Sequence, residues 1–166
     1  DQQVSNTLWS FASCALSASA VTERLAQHVL QHLEISQMSM QAVSNIAWSL
    51  AVLGTSSHGD QLLSSIAEHA MRAARTDDRS LSPMLTSTLA SAFATTRHGE
   101  ADRLLAALTP TVTAQLARGG LSTQQIVHVA HAAALLRSVD DTLLSALASS
   151  ARTRLGELQT SELRSL

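Results

Sequence analysis

The chain has 166 residues, 45% of them hydrophobic, enough for one sizeable core and too apolar for a disordered tail. Its formal charge is −2 and all 11 basic residues are arginine, which argues against a general, broadly basic nucleic-acid binder while leaving room for a local basic stripe. Aromatic residues are confined to Trp9, Trp48, Phe11 and Phe93, whereas Ala, Leu and Ser dominate, a mix that suits close-packed helices better than sheets.

Taken in chain order, the first helical segment is Gln3 to Ala12, and its pattern returns. Val4, Ser5, Asn6, Trp9, Ser10 and Ala12 recur as Val43, Ser44, Asn45, Trp48, Ser49 and Ala51, 39 residues later. A third, weaker copy runs Thr86 to Ala94 and a fourth Ile126 to Ala134, shifted by a further 43 and 40 residues. Met38-Ser39, Leu81-Ser82 and Leu121-Ser122 precede the later copies, each an apolar residue followed by a serine suited to N-capping. Ser122 with Gln125 fits a capping box, Leu121 can staple onto Ile126, and Pro83 falls at a first helical position.

Each of these segments is an A helix. In the second, Val43, Ile46, Leu50 and Leu53 form one apolar face, and Gly54 offers a stop. A stripe of small residues runs through Ser44, Ala47 and Ala51, then Ser87, Ala90 and Ala94, then Val127, Ala130 and Ala134. B helices lie between, with cores at Leu25, Val29 and Leu33; Leu62, Leu63 and Ile66; Leu104, Leu105 and Leu108; and Leu143, Leu144 and Leu147. The expected links are Ala15 to Ala20, Thr55 to Gly59, Arg97 to Gly99 and Arg137 to Asp140. Pro110 predicts a kink in the third B helix, or a fresh start capped by Thr109, and Gly119-Gly120 an end to it.

The expected fold is therefore an all-α, right-handed α-solenoid of about four helical hairpins with a repeat of roughly 40 residues. The repeats run about 1–37, 38–80, 81–120 and 121–158, with the start of a fifth at 159–166. Asp1 replaces an initial Met and the pattern breaks off at Leu166, so the expectation is one repeat domain within a longer chain. No apolar run reaches the roughly eighteen residues of a membrane span. Cys14 reads as a small core residue.

Gln41, Asn45, Trp48 and Ser49 lie near one face of the second A helix, and Gln2, Asn6, Trp9 and Ser10 near the same face of the first. Amides that read base edges beside an indole that stacks would make an RNA groove. The plainer alternative has Asn making an inter-repeat hydrogen bond and Trp in the core. Arg72, Arg75 and Arg79 cluster at the end of the second B helix, and Arg152 and Arg154 near the end of the fourth. They are candidates for phosphate contact, or simply cations at helix C-termini. His28 with His32 and His128 with His131 have ligand-like spacing but no third partner in sequence, so no metal is expected. No nucleophile elbow, phosphate loop or cysteine-pair motif is present, and no enzyme, cofactor or small-molecule substrate is expected.

The pattern Gln-x-Val-Ser-Asn-x-x-Trp-Ser-x-Ala, fullest from Gln41 to Gly54 and next from Gln3 to Ala12, resembles the octotricopeptide repeats of organelle RNA-binding proteins. It is similar, too, to the helical repeats found beside RAP domains and in FAST-kinase-like proteins. Repeats three and four lack the Asn and the Trp. The resemblance implies RNA binding in a mitochondrion or chloroplast, the mitochondrion first, in transcript stabilisation, processing or translation. It extends to ribosome-associated proteins that hold ribosomal RNA. Asn6, Trp9, Gln41, Asn45, Trp48, Ser49, Arg72 and Arg75 are the expected RNA contacts, and other proteins of a larger assembly the further partners. The near-neutral charge supports a rival reading, a protein-binding scaffold of HEAT or armadillo type without direct RNA contact.

Overall fold

A computed structural model describes residues 2–14, 19–76 and 80–154. Those residues form eight α-helices and no strand: α1 (Gln2–Ser13), α2 (Ser19–His32), α3 (Met40–Leu53), α4 (Ser57–Arg75), α5 (Pro83–Thr96), α6 (Ala101–Ala117), α7 (Thr123–Leu135) and α8 (Asp141–Thr153). A single 3₁₀ turn, Ile35–Gln37, precedes α3. The odd helices are the A helices of the sequence and the even ones the B helices. α1 packs on α3, α3 on α5 and α5 on α7; α2 packs on α4, α4 on α6 and α6 on α8.

Helix starts follow from the serines. Ser39, Ser82 and Ser122 accept from the backbone N–H three residues on, at 3.2, 3.4 and 3.3 Å. Ser122 and Gln125 complete the capping box, with Gln125 Oε1 accepting from Ser122 N at 2.8 Å. Met38, Leu81 and Leu121, just before these caps, are all buried. So are Val43, Ile46 and Leu50 of α3, Leu62, Leu63 and Ile66 of α4, and Leu104, Leu105 and Leu108 of α6. The small-residue stripe is buried at Ser44, Ala47, Ser87, Ala90 and Ala94, where neighbouring A helices meet.

Five expectations need correcting, one of them the link expected from Thr55 to Gly59, since α4 already begins at Ser57. Leu144 is 40% exposed, since the main packing of α8 is against α6 and α7. Cys14 is exposed just past the end of α1. The fresh helix start at Pro110 is not made: α6 is one helix through it, and Thr109 does not cap a new one, its hydroxyl bonding back to Leu105 O at 3.0 Å. Pro110 itself is exposed and Thr113 donates to the carbonyls of Thr109 and Pro110, so that turn is held by hydroxyls. α2 begins at Ser19, inside the link expected to run to Ala20, whose residues 15–18 lie outside the described residues. The expected opening of a fifth A helix, Thr160 to Leu166, lies outside them as well.

A set of contacts that the sequence did not reveal ties three B helices, α4, α6 and α8, to the A helix before each. His69 Nε2 on α4 donates to Met38 O at 3.1 Å, Gln115 Nε2 on α6 to Leu81 O at 2.9 Å, and Arg154, just past α8, to Leu121 O. In each case the accepting carbonyl belongs to the residue before the serine cap. Gln115 Oε1 also accepts from Thr86 Oγ1 at 2.9 Å. Gln115→Ala is expected to cost about 1–3 kcal/mol, because it strands the Leu81 carbonyl, whereas the Thr86 hydroxyl keeps the carbonyls of Ser82 and Pro83 as acceptors. Chemical denaturation checks this, and an unchanged midpoint would show that the ladder carries no stability.

Two of the A-to-B links, those before α4 and α6, are anchored on the preceding B helix. Glu23 on α2 accepts from Ser56, the N-cap of α4, and pairs with His58. His98 Nε2 on the next link donates to Asp60 O in the first turn of α4 at 3.1 Å. The Glu23 carboxyl is held below its usual range, first by the His58 hydrogen bond and then by that of Ser56. A depressed carboxylate pKa adds stability above the unfolded value, about 4.3, and loses it as pH falls through the folded one. Glu23→Gln should therefore lower Tm at neutral pH, modestly since the carboxylate is about a third exposed. The gap from the parent should close below about pH 4. A pH-independent gap would mean that the carboxylate's charge contributes nothing.

Candidate nucleic-acid interface

The A helices carry no Asp, Glu, Arg or Lys anywhere along their length. Their outward side accordingly carries no carboxylate, ammonium or guanidinium, and sets amides and hydroxyls beside the exposed Trp9, Val52 and Met84. A groove of about 200 Å³ opens across α1, α3 and α5, lined by Trp9, Gln41, Asn45, Trp48, Met84 and Thr88 among others. Trp9 is 48% exposed, so the core reading fails for it. α1 has a neighbouring A helix on one side only among the described residues, which leaves its indole open. Trp48, with α5 beyond it, is half-buried.

The amides repeat in geometry as well as in sequence. Gln2 Nε2 donates to Asn6 Oδ1 at 2.8 Å, and Gln41 Nε2 to Asn45 Oδ1 at 2.9 Å. With this assignment of the amide atoms, each pair keeps an Asn N–H₂ donor and a Gln C=O acceptor with no protein partner among the described residues. Asn45 thus bonds within its own helix rather than pinning a neighbouring repeat. A free donor beside a free acceptor is the complement of a base edge.

Other expected contacts stand elsewhere. Ser49 is buried, and its hydroxyl donates to Asn45 O at 2.6 Å, so it supports the Asn turn from beneath. Ser10 does the same for Asn6 at 2.8 Å. Arg72 and Arg75 are exposed in the last turn of α4, a B helix, and do not line the groove; Asp77, Asp78 and Arg79 lie outside the described residues. Arg154 is engaged with Leu121 O and Gly119 O rather than free for a phosphate. The His28 and His32 rings, 4.7 Å apart and exposed, are joined by no third metal ligand among the described residues. Sequence reasoning missed Met84 and Thr88, which complete the groove from α5. They occupy the slots of Gln41 and Asn45 one repeat on, so the register alone would have found them.

These features define an all-helical protein whose two rows of helices present an uncharged surface groove bearing paired amides and indoles. Residues 12–166 match the family of the RNA-editing substrate-binding complex 6 protein, and the chain belongs to that family. No individual curated protein matches it. The match takes in the Gln41–Trp48 motif of α3 and begins after Trp9 of α1. Among the described residues, no helix is long and apolar enough to cross a membrane.

Proposed function

We propose that this chain is an RNA-binding, right-handed α-solenoid of about four hairpins. It holds RNA as a non-catalytic subunit of a larger assembly. The observation that carries this reading is the twice-built unit of bonded Gln and Asn beside an indole, Gln2–Asn6 with Trp9 and Gln41–Asn45 with Trp48. Trp9 and Trp48 stack on unpaired bases, and the free amide groups meet base edges. The family's name speaks of an RNA-editing substrate, which favours that class of RNA over ribosomal RNA. The likeness of the A-helix motif to organelle repeats favours a mitochondrion.

The test is binding of the chain to labelled oligomers of each base, with Asn6→Ala and Asn45→Ala introduced together. The expected result is a changed order of preference among the four oligomers at unchanged Tm. An unchanged order, or a loss of stability alone, removes the base-reading role. One observation favours the protein-scaffold alternative: the A helices have no cation to meet phosphates. Under that reading the chain binds none of the oligomers.

A further inference from the structure

The closures of α5 and α7 are built alike. His98 N donates to Phe93 O and Arg97 N to Ala94 O; Ser138 N donates to Ala133 O and Arg137 N to Ala134 O. This is the Schellman arrangement, whose left-handed residue is usually glycine. α6 obeys the rule: Gly119, at φ 66°, makes the same closure, with Gly120 N bonded to Gln115 O and Gly119 N to Leu116 O. At the ends of α5 and α7 the left-handed residue is instead an arginine, Arg97 at φ 52° and Arg137 at φ 51°. Gly54 holds the same repeat slot after α3, also at positive φ. The two arginines therefore sit where a side chain is a steric liability to the backbone.

Both side chains are exposed, and neither makes a side-chain hydrogen bond or ion pair among the described residues. They line one groove of about 370 Å³ together with His98, Asp102 and Leu135. Leu135 carries on α7 the register that Val52 carries on α3, a turn beyond Trp48, so this groove borders the outward side of the A helices. Nearby carboxylates are mostly occupied: Glu100 pairs with Arg103, and Asp140 accepts from the N–H groups of Thr142 and Leu143. Asp102 is the exception on the groove wall.

We propose that Arg97 and Arg137 are phosphate-binding residues for a single RNA strand lying across the ends of the A helices, one phosphate contact from each of two successive repeats. This rests on the RNA reading above and supplies the cations that the A helices lack. The arginine's reach and fork suit a phosphodiester, which accounts for its presence where glycine would fit the backbone better.

The test uses the whole chain and a labelled oligouridine, titrated over a range of salt. Arg97→Gly with Arg137→Gly should leave Tm unchanged or raised while affinity falls. The slope of log K against log salt should flatten by about 1.4, the value for two contacts on a single strand. Arg97→Asn with Arg137→Asn, which also tolerates the left-handed region, should behave likewise and serves should the glycine pair fold poorly. Asp102→Asn should tighten binding. If the parent chain binds neither oligouridine nor the oligomers of the other three bases, the RNA reading itself falls. If the parent binds and both arginine pairs keep its affinity and salt slope, this inference alone is overturned.

Discussion

Replacing Phe93 by alanine is expected to destabilise the chain by about 3–5 kcal/mol, the usual cost of a fully buried phenylalanine. Phe93 is the largest fully buried side chain. It lies on α5, which packs on α3, α6 and α7 at once. Its ring also meets the edge of His98 at 5.5 Å, so the cavity would open next to the link that anchors on α4. With domains of this size stable by about 5–15 kcal/mol, the loss would be a large share of the total. Stacked hairpins draw their stability from nearest neighbours, so a weakened α5 should also uncouple the two halves. Both tryptophans lie on α1 and α3, whereas helix content reports the whole chain. Fluorescence and far-ultraviolet dichroism should give coincident denaturation curves for the parent and separated ones for the variant. Leu144→Ala on the open side of α8 is the control, expected within about 0.5–1 kcal/mol of the parent. An unchanged midpoint for the phenylalanine variant would sink the claim that α5 is the keystone of the packing.

The helix pairing was legible because it is written twice over. The echo between Gln3–Ala12 and Ala42–Ala51 fixes which helices are equivalent, and the caps at Ser39, Ser82 and Ser122 fix where three of them start. What was hidden depends on neighbours rather than on letters. Trp9 and Trp48 occupy the same slot, yet one is open and the other half-covered, because α1 has an A helix on one side of it and α3 on both. Leu144 sits beside Leu143 in an apolar run but faces the open side of α8. The ladder from the B helices to the carbonyls before the caps was invisible for another reason. His69, Gln115 and Arg154 do one job with three chemistries, so only the contact repeats and the residue does not. Pro110 shows the limit of a local rule, since packing of Leu108 and Val112 into the core carries α6 through it.

Removing either indole is expected to weaken RNA binding by about 5- to 150-fold, the equivalent of 1–3 kcal/mol for one stacked base. The two positions separate binding from folding. Trp9 is half exposed, so Trp9→Ala should leave Tm close to that of the parent and act on binding alone. Trp48 lines the same groove but is half-buried, so Trp48→Ala should lower both Tm and affinity. Trp9→Phe keeps a ring and should retain most of the affinity, whereas Trp9→Leu keeps apolar bulk without a ring and should lose it, which a purely steric role for the side chain would not predict. These tryptophans are the chain's only two, and both line the same groove, so quenching of intrinsic fluorescence on titration with single-stranded RNA reports directly on the site. Stacking predicts strong quenching in the parent and partial quenching in each single variant. Binding that leaves the fluorescence untouched would place the RNA away from the A helices and leave their uncharged groove for a protein partner.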